Sequence, residues 1–384
     1  MKIQVAVIFG GRSVEHEVSV ISAMQVMAAL DVGKHDVIPV YIAKDGAMYT
    51  GENLTDIKAF GDIPRLLEDA RQVAFMRAGG KVVLQPAHKR LFGSEKPIYI
   101  DMALPAVHGT FAEDGSLQGY LELLGLPYCG CDVLSSAICM NKPAAKNLMK
   151  SAGIPVLPHI VMDKDGELDF SAAESAFGYP VIVKPDNLGS SVGITKAKDR
   201  PSFEAAAELA FCYSSRAVVE PAVTDLREIN VSVLGDKDNA EASVCEEPLG
   251  RDEILSFKDK YLRGDKSGKG LGMTAQKRVI PADLAPEKAE RARELALAAF
   301  RALGCHGVAR VDLLLSGGRD FYVNEVNTIP GSLSYYLWEK SGLPFPALLD
   351  KLIALAFARS RSRSELSYTF DVNLLQGATA TGKP

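Results

Sequence analysis

The chain has 384 residues and a mass of 41.3 kDa, a length typical of two to three domains. With 47% hydrophobic and 24% charged residues it is neither collagen-like nor disordered, and a net charge of -5 argues against nucleic-acid partners. No apolar run approaches the ~20 residues that cross a bilayer, so we expect no membrane partner. The opening MKIQVAVIFGG is too soon followed by charged residues to be a signal peptide, and we expect a cytoplasmic protein whose six cysteines are reduced.

The first third of the sequence predicts an open α/β sheet. Three apolar runs are typical of buried strands: residues 2–9, 37–42 and 98–107. A helix between the first two would run to about Leu30, with Ser13 or Ser19 as its cap, which gives a βαβ unit. A second helix is predicted over 116–124, where Gly125 ends it. We assign residues 1–135 to this first domain.

The rest of the chain predicts an α+β organisation with antiparallel sheets. Short strands are expected within the following ranges: 159–163, 180–186, 193–197, 217–223, 228–236, 241–249, 307–316 and 319–329. We place a central domain at 136–225, a C-terminal domain at 226–360 and a tail at 361–384. Residues 251–276 are glycine-rich and charged without an apolar period, a pattern typical of a lid loop.

The last two predicted strands carry the clearest candidate for chemistry. Residues two apart in a strand point to the same face, so a hairpin would gather Asp312, Glu325 and Asn327 beside Arg310. Two carboxylates and an amide oxygen suit Mg²⁺, and an arginine can neutralise charge that develops during group transfer. A surface hairpin with alternating polar residues remains the alternative.

Three further segments could bind anions or small molecules. Lys184 ends an apolar strand and precedes a Gly/Ser loop at 188–193, which offers backbone N–H groups to phosphate, although an ordinary turn explains it nearly as well. Glu15 lies between the first strand and helix, where it would attract an ammonium or simply favour the helix N-terminus. His108 follows a buried strand, and a lone histidine is more often structural than catalytic.

Five motifs give the sequence a resemblance to D-alanine–D-alanine ligases of the ATP-grasp superfamily, over roughly residues 3–356. They occur in family order: GGRSVEHEVSVISA, HGTFAEDGSLQGYLELLGLPYCG, VIVKPDNLGSSVG, GVARVD and NEVNTIPG. The resemblance implies a mixed α/β and α+β fold with three domains, the first a Rossmann-like domain of the biotin-carboxylase N-terminal type. ATP would lie between the last two domains, which agrees with the lack of a Walker A string.

The resemblance also implies roles for individual residues. The nucleotide would contact six side chains: Lys142, Lys184, Ser191, Glu220, Glu228 and Lys260. Asp312, Glu325 and Asn327 would bind two Mg²⁺ ions, with Mn²⁺ as a substitute and a monovalent cation as a further ion. Arg310 and the backbone N–H of Gly331 would bind the oxyanion. Glu15 would hold the ammonium of the first D-alanine near His108, in a bridge closed by Ser190 and Tyr261.

The implied reaction is ATP-dependent ligation of two D-alanines through an acyl phosphate, for peptidoglycan precursor synthesis, by an enzyme expected to be a homodimer. Lys260 and Tyr261 favour D-alanine as acceptor, and Lys260 would reach its carboxylate. The preceding SFKD departs from the usual lid sequence. Tyr336 stands where many relatives have a serine that binds this carboxylate. Its phenol can still donate one hydrogen bond to the carboxylate, and Ser332 or Ser334 is the alternative donor. A ligase for D-lactate, D-serine or another amino acid, and a silent nucleotide-binding protein, remain alternatives.

Overall fold

The computed structural model describes residues 2–88, 96–166, 168–249 and 278–370. Its first sheet has seven strands: β1 (Ile3–Gly10), β2 (His35–Ile42), β3 (Met48–Thr50), β4 (Arg71–Ala78), β5 (Lys81–Pro86), β6 (Ile98–Ile100) and β7 (Met102–Pro105). The strand order is β6-β5-β4-β3-β2-β1-β7, in which β1 is parallel to β2 and β7 and the other pairs are antiparallel. The predicted α/β sheet is therefore confirmed.

Two local predictions in this region were wrong. The single strand expected at 98–107 is divided at Asp101, because β6 pairs with β5 whereas β7 pairs with β1. The first helix starts after Glu15 without a side-chain cap, and Ser19 lies inside it. The Ser19 hydroxyl instead accepts a hydrogen bond from Gly10 N–H and donates one to the Ala106 carbonyl, both at 2.8 Å.

Seven α-helices belong to the described parts of the N-terminal and central regions. The helices of the first two regions are α1 (His16–Ala29), α2 (Ile63–Asp69), α3 (Ser116–Leu124), α4 (Val133–Met140), α5 (Lys142–Ser151), α6 (Phe170–Phe177) and α7 (Arg200–Phe211). Helix α3 ends as predicted at Gly125, whose φ of +66° is the left-handed conformation that glycine adopts without strain. Helix α5 begins with a proline in its first turn, and the Asn141 side chain caps it.

The central sheet is antiparallel throughout, as predicted. Its strands are β8 (Ile160–Asp163), β9 (Val181–Pro185), β10 (Thr195–Ala197) and β11 (Arg216–Pro221), in the order β10-β9-β11-β8. Helices α6 and α7 cover one face and share a hydrophobic core with it, which includes Phe203, Val183 and Val219.

The third sheet contains both strands of the predicted polar hairpin. Its strands are β12 (Leu226–Gly235), β13 (Ala240–Pro248), β14 (Arg278–Val279), β15 (Gly307–Ser316) and β16 (Asp320–Asn327), in the order β14-β13-β12-β15-β16. The remaining helices are α8 (Pro286–Ala302), α9 (Tyr335–Lys340) and α10 (Phe345–Ser364). Helix α8 covers the apolar face of this sheet, so the other face is available for polar side chains.

Helices α9 and α10 join the C-terminal region to the first sheet. Trp338 and Leu348 belong to the same hydrophobic core as Val7 and Phe9 of β1. Within the described ranges no single helix is long and apolar enough to cross a membrane. The consecutive segments Gly331–Lys340 and Phe345–Ser364 reach that length and composition only as a pair bent by 118°.

Candidate active site

Four polar side chains meet on β15 and β16. The register places Arg310 opposite Asn327 and Asp312 opposite Glu325. The Nε and Nη2 atoms of Arg310 donate to the two carboxylate oxygens of Asp312 at 2.6 and 2.7 Å, and the Asn327 amide donates to Asp312 at 3.0 Å. Burial alone would lower the pKa of Arg310, but Asp312 raises it well above its ordinary value, so this buried guanidinium stays charged.

This row also supplies oxygen ligands for a hard cation. Asp312 and Glu325 contribute carboxylates and Asn327 an amide oxygen, the donor types that Mg²⁺ prefers. Among the described residues, no three His, Cys, Asp or Glu side chains are arranged to hold a metal ion. The set fits magnesium by the chemistry of its donors, because two carboxylates beside a cleft leave the remaining coordination positions to substrate phosphates.

Two lysines hold a buried carboxylate next to this row. Lys146 on α5 and Lys184 on β9 each place Nζ 2.8 Å from a different oxygen of Glu220 on β11. Lys184 also donates to the side-chain oxygen of Asn324 at 3.1 Å. Burial alone would raise the pKa of Glu220, but Lys184 and Lys146 together lower it to about 2. The group is therefore a fixed anion between two cations.

Lys142 is a third buried lysine of the same region. Its Nζ donates to the Leu188 carbonyl at 2.6 Å and lies 3.9 Å from a carboxylate oxygen of Glu325. Burial lowers its pKa, and the charge of Glu325 opposes the shift. Lys142 thus lies between the Gly/Ser loop and the carboxylate row, where it can meet a phosphate.

An open cleft between the central and C-terminal sheets connects these groups. Its polar lining includes Lys184, Ser191, Glu220, Glu228, Asp312 and Glu325, together with Lys196 and Asn324. Apolar side chains such as Ile182, Val223 and Leu226 line it as well. A cleft with an apolar section and a section of cations and carboxylates suits a nucleoside triphosphate.

A smaller pocket adjoins the cleft and contains Glu15. The two cavities share Leu188, Gly189 and Glu325. The Ser190 hydroxyl donates to Glu15 and so joins the central loop to the start of α1. Ser190 has a φ of +56°, which is unusual for a residue with a side chain and is typical of functional loops.

His108 lies behind this pocket, and both of its ring nitrogens are hydrogen bonded. Nδ1 donates to the Ile329 carbonyl at 2.8 Å, so Nε2 accepts from the Ser22 hydroxyl at 2.8 Å. The Ser22 oxygen in turn accepts the Ser332 N–H at 2.9 Å. Burial lowers the pKa of His108 to about 4, so the ring is neutral at pH 7. This chain of hydrogen bonds fixes the turn at Gly331–Ser334 against α1.

Tyr336 lies on α9, directly after that turn, and has a protein partner. Its hydroxyl donates to Oε2 of Glu246 at 3.1 Å, and Arg278 lies 2.9 Å from Oε1 of the same carboxylate. The Arg278 guanidinium also lies 4.4 Å from the centre of the Tyr336 ring. Burial, with a further contribution from Glu246, raises the pKa of Tyr336, so the phenol keeps its proton.

Family models match both halves of the chain. The model described as D-ala D-ala ligase N-terminus matches residues 4–131, and that described as D-ala D-ala ligase C-terminus matches residues 148–354. The chain belongs to the D-alanine–D-alanine ligase family. The D-alanine--D-alanine ligase of Sodalis glossinidius is 40% identical over 375 residues, which are 95% of this chain and 98% of the relative. That of Thermosipho melanesiensis is 36% identical, over 97% and 98% of the two chains.

Solved structures of the family have the same fold. The D-alanine-D-alanine ligase of Coxiella burnetii is 31% identical with a TM-score of 0.79, and the match covers 95% of this chain and 96% of that one. The VanG D-Ala:D-Ser ligase of Enterococcus faecalis is 32% identical with a TM-score of 0.77, over 93% and 100% of the two chains. The three-domain ATP-grasp architecture expected from the sequence is therefore confirmed.

Nine of the predicted site residues line the two adjoining cavities: Glu15, Lys142, Lys184, Ser191, Glu220, Glu228, Asp312, Glu325 and Asn327. Six other predicted residues line neither cavity: His108, Ser190, Arg310, Gly331, Ser332 and Tyr336. Lys260, Tyr261 and the expected lid at 251–276 lie outside the described residues.

Several polar groups in this region were not among the predicted site residues: Ser22, Glu113, Lys146, Glu246 and Arg278. Glu113 accepts the N–H groups of Gly109 and Ile329, and burial together with the charge of Glu15 raises its pKa. Lys146 follows Lys142 by one helical turn, and this spacing could have identified it.

Proposed function

We propose that this chain joins two molecules of D-alanine into D-alanyl-D-alanine and cleaves ATP to ADP and phosphate. The observation that carries the proposal is the shared wall of the two cavities, formed by Leu188, Gly189 and Glu325. A carboxylate substrate in the pocket of Glu15 would lie beside the terminal phosphate of a nucleotide in the cleft. This juxtaposition suits phosphoryl transfer to a carboxylate, and membership of the ligase family supports it.

The nucleotide is held by charge and by the apolar section of the cleft. Lys142 and Lys184 bind its phosphates, and Ser191 contributes from the Gly/Ser loop. Glu220, near the end of β11, meets the adenine, and Glu228 binds the ribose. Lys260 completes the phosphate contacts in this proposal.

Asp312, Glu325 and Asn327 would hold the divalent ions, which we take to be two Mg²⁺ ions with Mn²⁺ as a substitute. When bound, these ions neutralise negative charge on the phosphates. Asp312 would remain hydrogen bonded to Arg310, as it is in the structure.

The first D-alanine is bound through its ammonium by Glu15. Ser190 fixes the Glu15 carboxylate, and Tyr261 completes the bridge. His108 acts as a positioning residue, because both ring nitrogens already have protein partners. It supports the turn that begins at Gly331.

The chemistry proceeds in two steps. A carboxylate is a poor acylating agent, so the carboxylate of the first D-alanine first takes the γ-phosphoryl group of ATP. The amine of the second D-alanine then forms a bond to the acyl carbon, and phosphate leaves. Arg310 and the N–H of Gly331 stabilise the oxyanion that develops at the carbonyl oxygen.

The second D-alanine would contact Ser332, Tyr336 and Lys260. This part of the site decides between D-alanine and the alternative acceptors, D-lactate, D-serine or another amino acid. We infer domain boundaries at 1–135, 136–225 and 226–360, because each range contains one of the three sheets. A homodimer and a cytoplasmic location stay predictions, and light scattering of the purified protein tests the first.

A direct test is phosphate release from ATP and Mg²⁺ with D-alanine, with the product identified by mass. We expect phosphate and D-alanyl-D-alanine in equal amounts. Release that depends on a different acceptor would support the alternative ligase. No release with any D-amino acid or D-lactate would favour a silent nucleotide-binding protein and refute the proposal.

A further inference from the structure

A polar row crosses the C-terminal sheet from the nucleotide cleft to β13. Glu246, Asn230, Asp312 and Glu325 are direct neighbours on four successive strands. Because adjacent strands lie about 4.8 Å apart, Glu246 is about 10 Å from Asp312, on the side away from the cleft. Asp312 and Glu325 line the cleft, so Glu246 marks the other end of the row.

Arg310 lies between the cleft and this far end. It is hydrogen bonded to Asp312 on one side, and the negative charge of Glu246 also raises its pKa. In the proposed function Arg310 and the N–H of Gly331 bind the oxygen of the reacting carbonyl. Tyr336 follows the Gly331–Ser334 turn on α9 and is hydrogen bonded to Glu246, so an acceptor that reaches this carbonyl from the side of the turn meets these two side chains.

The direction of the Tyr336 hydrogen bond determines what this side can bind. A phenol has one proton, and Tyr336 donates it to Glu246, which is 1% exposed and is ion-paired with Arg278 at 2.9 Å. Any further partner of the phenol oxygen therefore meets lone pairs only. Such an oxygen attracts an ammonium and cannot donate to a carboxylate.

We propose that Tyr336, fixed by Glu246, accepts a hydrogen bond from the α-ammonium of the acceptor and thereby selects an amine over a hydroxyl. This inference rests on the proposed ligase function. It differs from the expectation that Tyr336 donates to the acceptor carboxylate. A hydrogen bond from a charged donor is roughly twice as strong as a neutral one, so D-alanine gains more than D-lactate from the same oxygen.

The test compares Tyr336→Phe with Tyr335→Phe, which removes a hydroxyl from the preceding residue, whose ring stacks on Phe345 at 4.4 Å. With D-alanine, Tyr336→Phe should raise the KM of the second substrate about tenfold or more, and the KM values of ATP and the first D-alanine should stay constant. Tyr335→Phe should leave all three unchanged. An equal rise in both D-alanine KM values would indicate a structural role and overturn the inference.

Two acceptor analogues separate ammonium binding from carboxylate binding. D-alaninamide keeps the ammonium and lacks the carboxylate, so Tyr336→Phe should weaken its use as strongly as that of D-alanine. D-lactate keeps the carboxylate and lacks the ammonium, so its use should change less than about threefold. The reverse pattern would assign Tyr336 to the carboxylate. A wild-type enzyme that forms no D-alanyl-D-alanine would refute the ligase function itself, which is a distinguishable outcome.

Discussion

Lys146 is the buried cation whose removal tests the charge balance behind the nucleotide cleft. It is 1% exposed and lies 2.8 Å from Glu220, which also holds Lys184. Lys146→Met keeps an unbranched apolar chain and removes the charge. Of the two lysines, Lys184 alone would then pair with Glu220. We therefore expect both the free energy of unfolding and the nucleotide affinity to decrease.

The pKa of Glu220 gives the magnitude. Its decrease from 4.5 to about 2 corresponds to about 3 kcal/mol of free energy of unfolding at neutral pH. Because the folded-state pKa is lowered, this contribution is complete above pH 4.5 and is lost as the pH falls toward 2. Breaking a buried ion pair completely costs about 3–5 kcal/mol, and the remaining Lys184 reduces the expected loss at pH 7 to about 2 kcal/mol.

Urea unfolding at pH 7 and pH 3 measures this loss. Lys150→Met is the matched control, because Lys150 is exposed on the same helix, and it should change the stability by less than about 0.5 kcal/mol. The difference between wild type and Lys146→Met should shrink by about 1 kcal/mol at pH 3, where protonation of Glu220 begins to compete with its ion pairs. We also expect a higher KM for ATP, because without Lys146 the Glu220 carboxylate attracts Lys184 more strongly and leaves it less available to the phosphates. Equal effects of the two variants, or a difference that does not depend on pH, would refute the reasoning.

Three other variants test the rest of the site. Glu325→Gln removes one of the two carboxylates beside Arg310. It should lower turnover at least about tenfold and raise the Mg²⁺ concentration that the enzyme requires. Wild-type rates across an Mg²⁺ titration would contradict the metal assignment. Ser190→Ala removes the hydroxyl that donates to Glu15, so it should raise the KM of the first D-alanine about tenfold and leave the KM of ATP unchanged. Ser191→Ala should instead raise the KM of ATP, because Ser191 lines the nucleotide cleft. If two-substrate kinetics show that both serine variants alter the same KM, the different roles given to Ser190 and Ser191 are refuted.

The C-terminal hairpin could be predicted because its signals are local. Alternating apolar and polar residues fix which side chains share a face, and the glycine pair at 317–318 marks the turn. The structure accordingly pairs Asp312 with Glu325. The family motifs extended this prediction to the nucleotide cleft and the Glu15 pocket.

The polar groups around Tyr336 could not be predicted in the same way. Glu246 lies on β13, Arg278 on β14 and Tyr336 on α9, so their contacts depend on how separate elements pack. No spacing in the sequence indicates that contact. The division of residues 98–107 into β6 and β7 has a similar cause, because strand partners from elsewhere in the chain decide it.

The most direct test of the ligase function uses D-alanine labelled with ¹⁸O in both carboxylate oxygens, together with ATP and Mg²⁺. An acyl-phosphate route transfers one carboxylate oxygen of the first D-alanine to phosphate and leaves the other in the peptide carbonyl. We therefore predict one ¹⁸O in each phosphate released, and D-alanyl-D-alanine with three ¹⁸O atoms in equal amount. Unlabelled phosphate, or phosphate release without the dipeptide, would contradict the account.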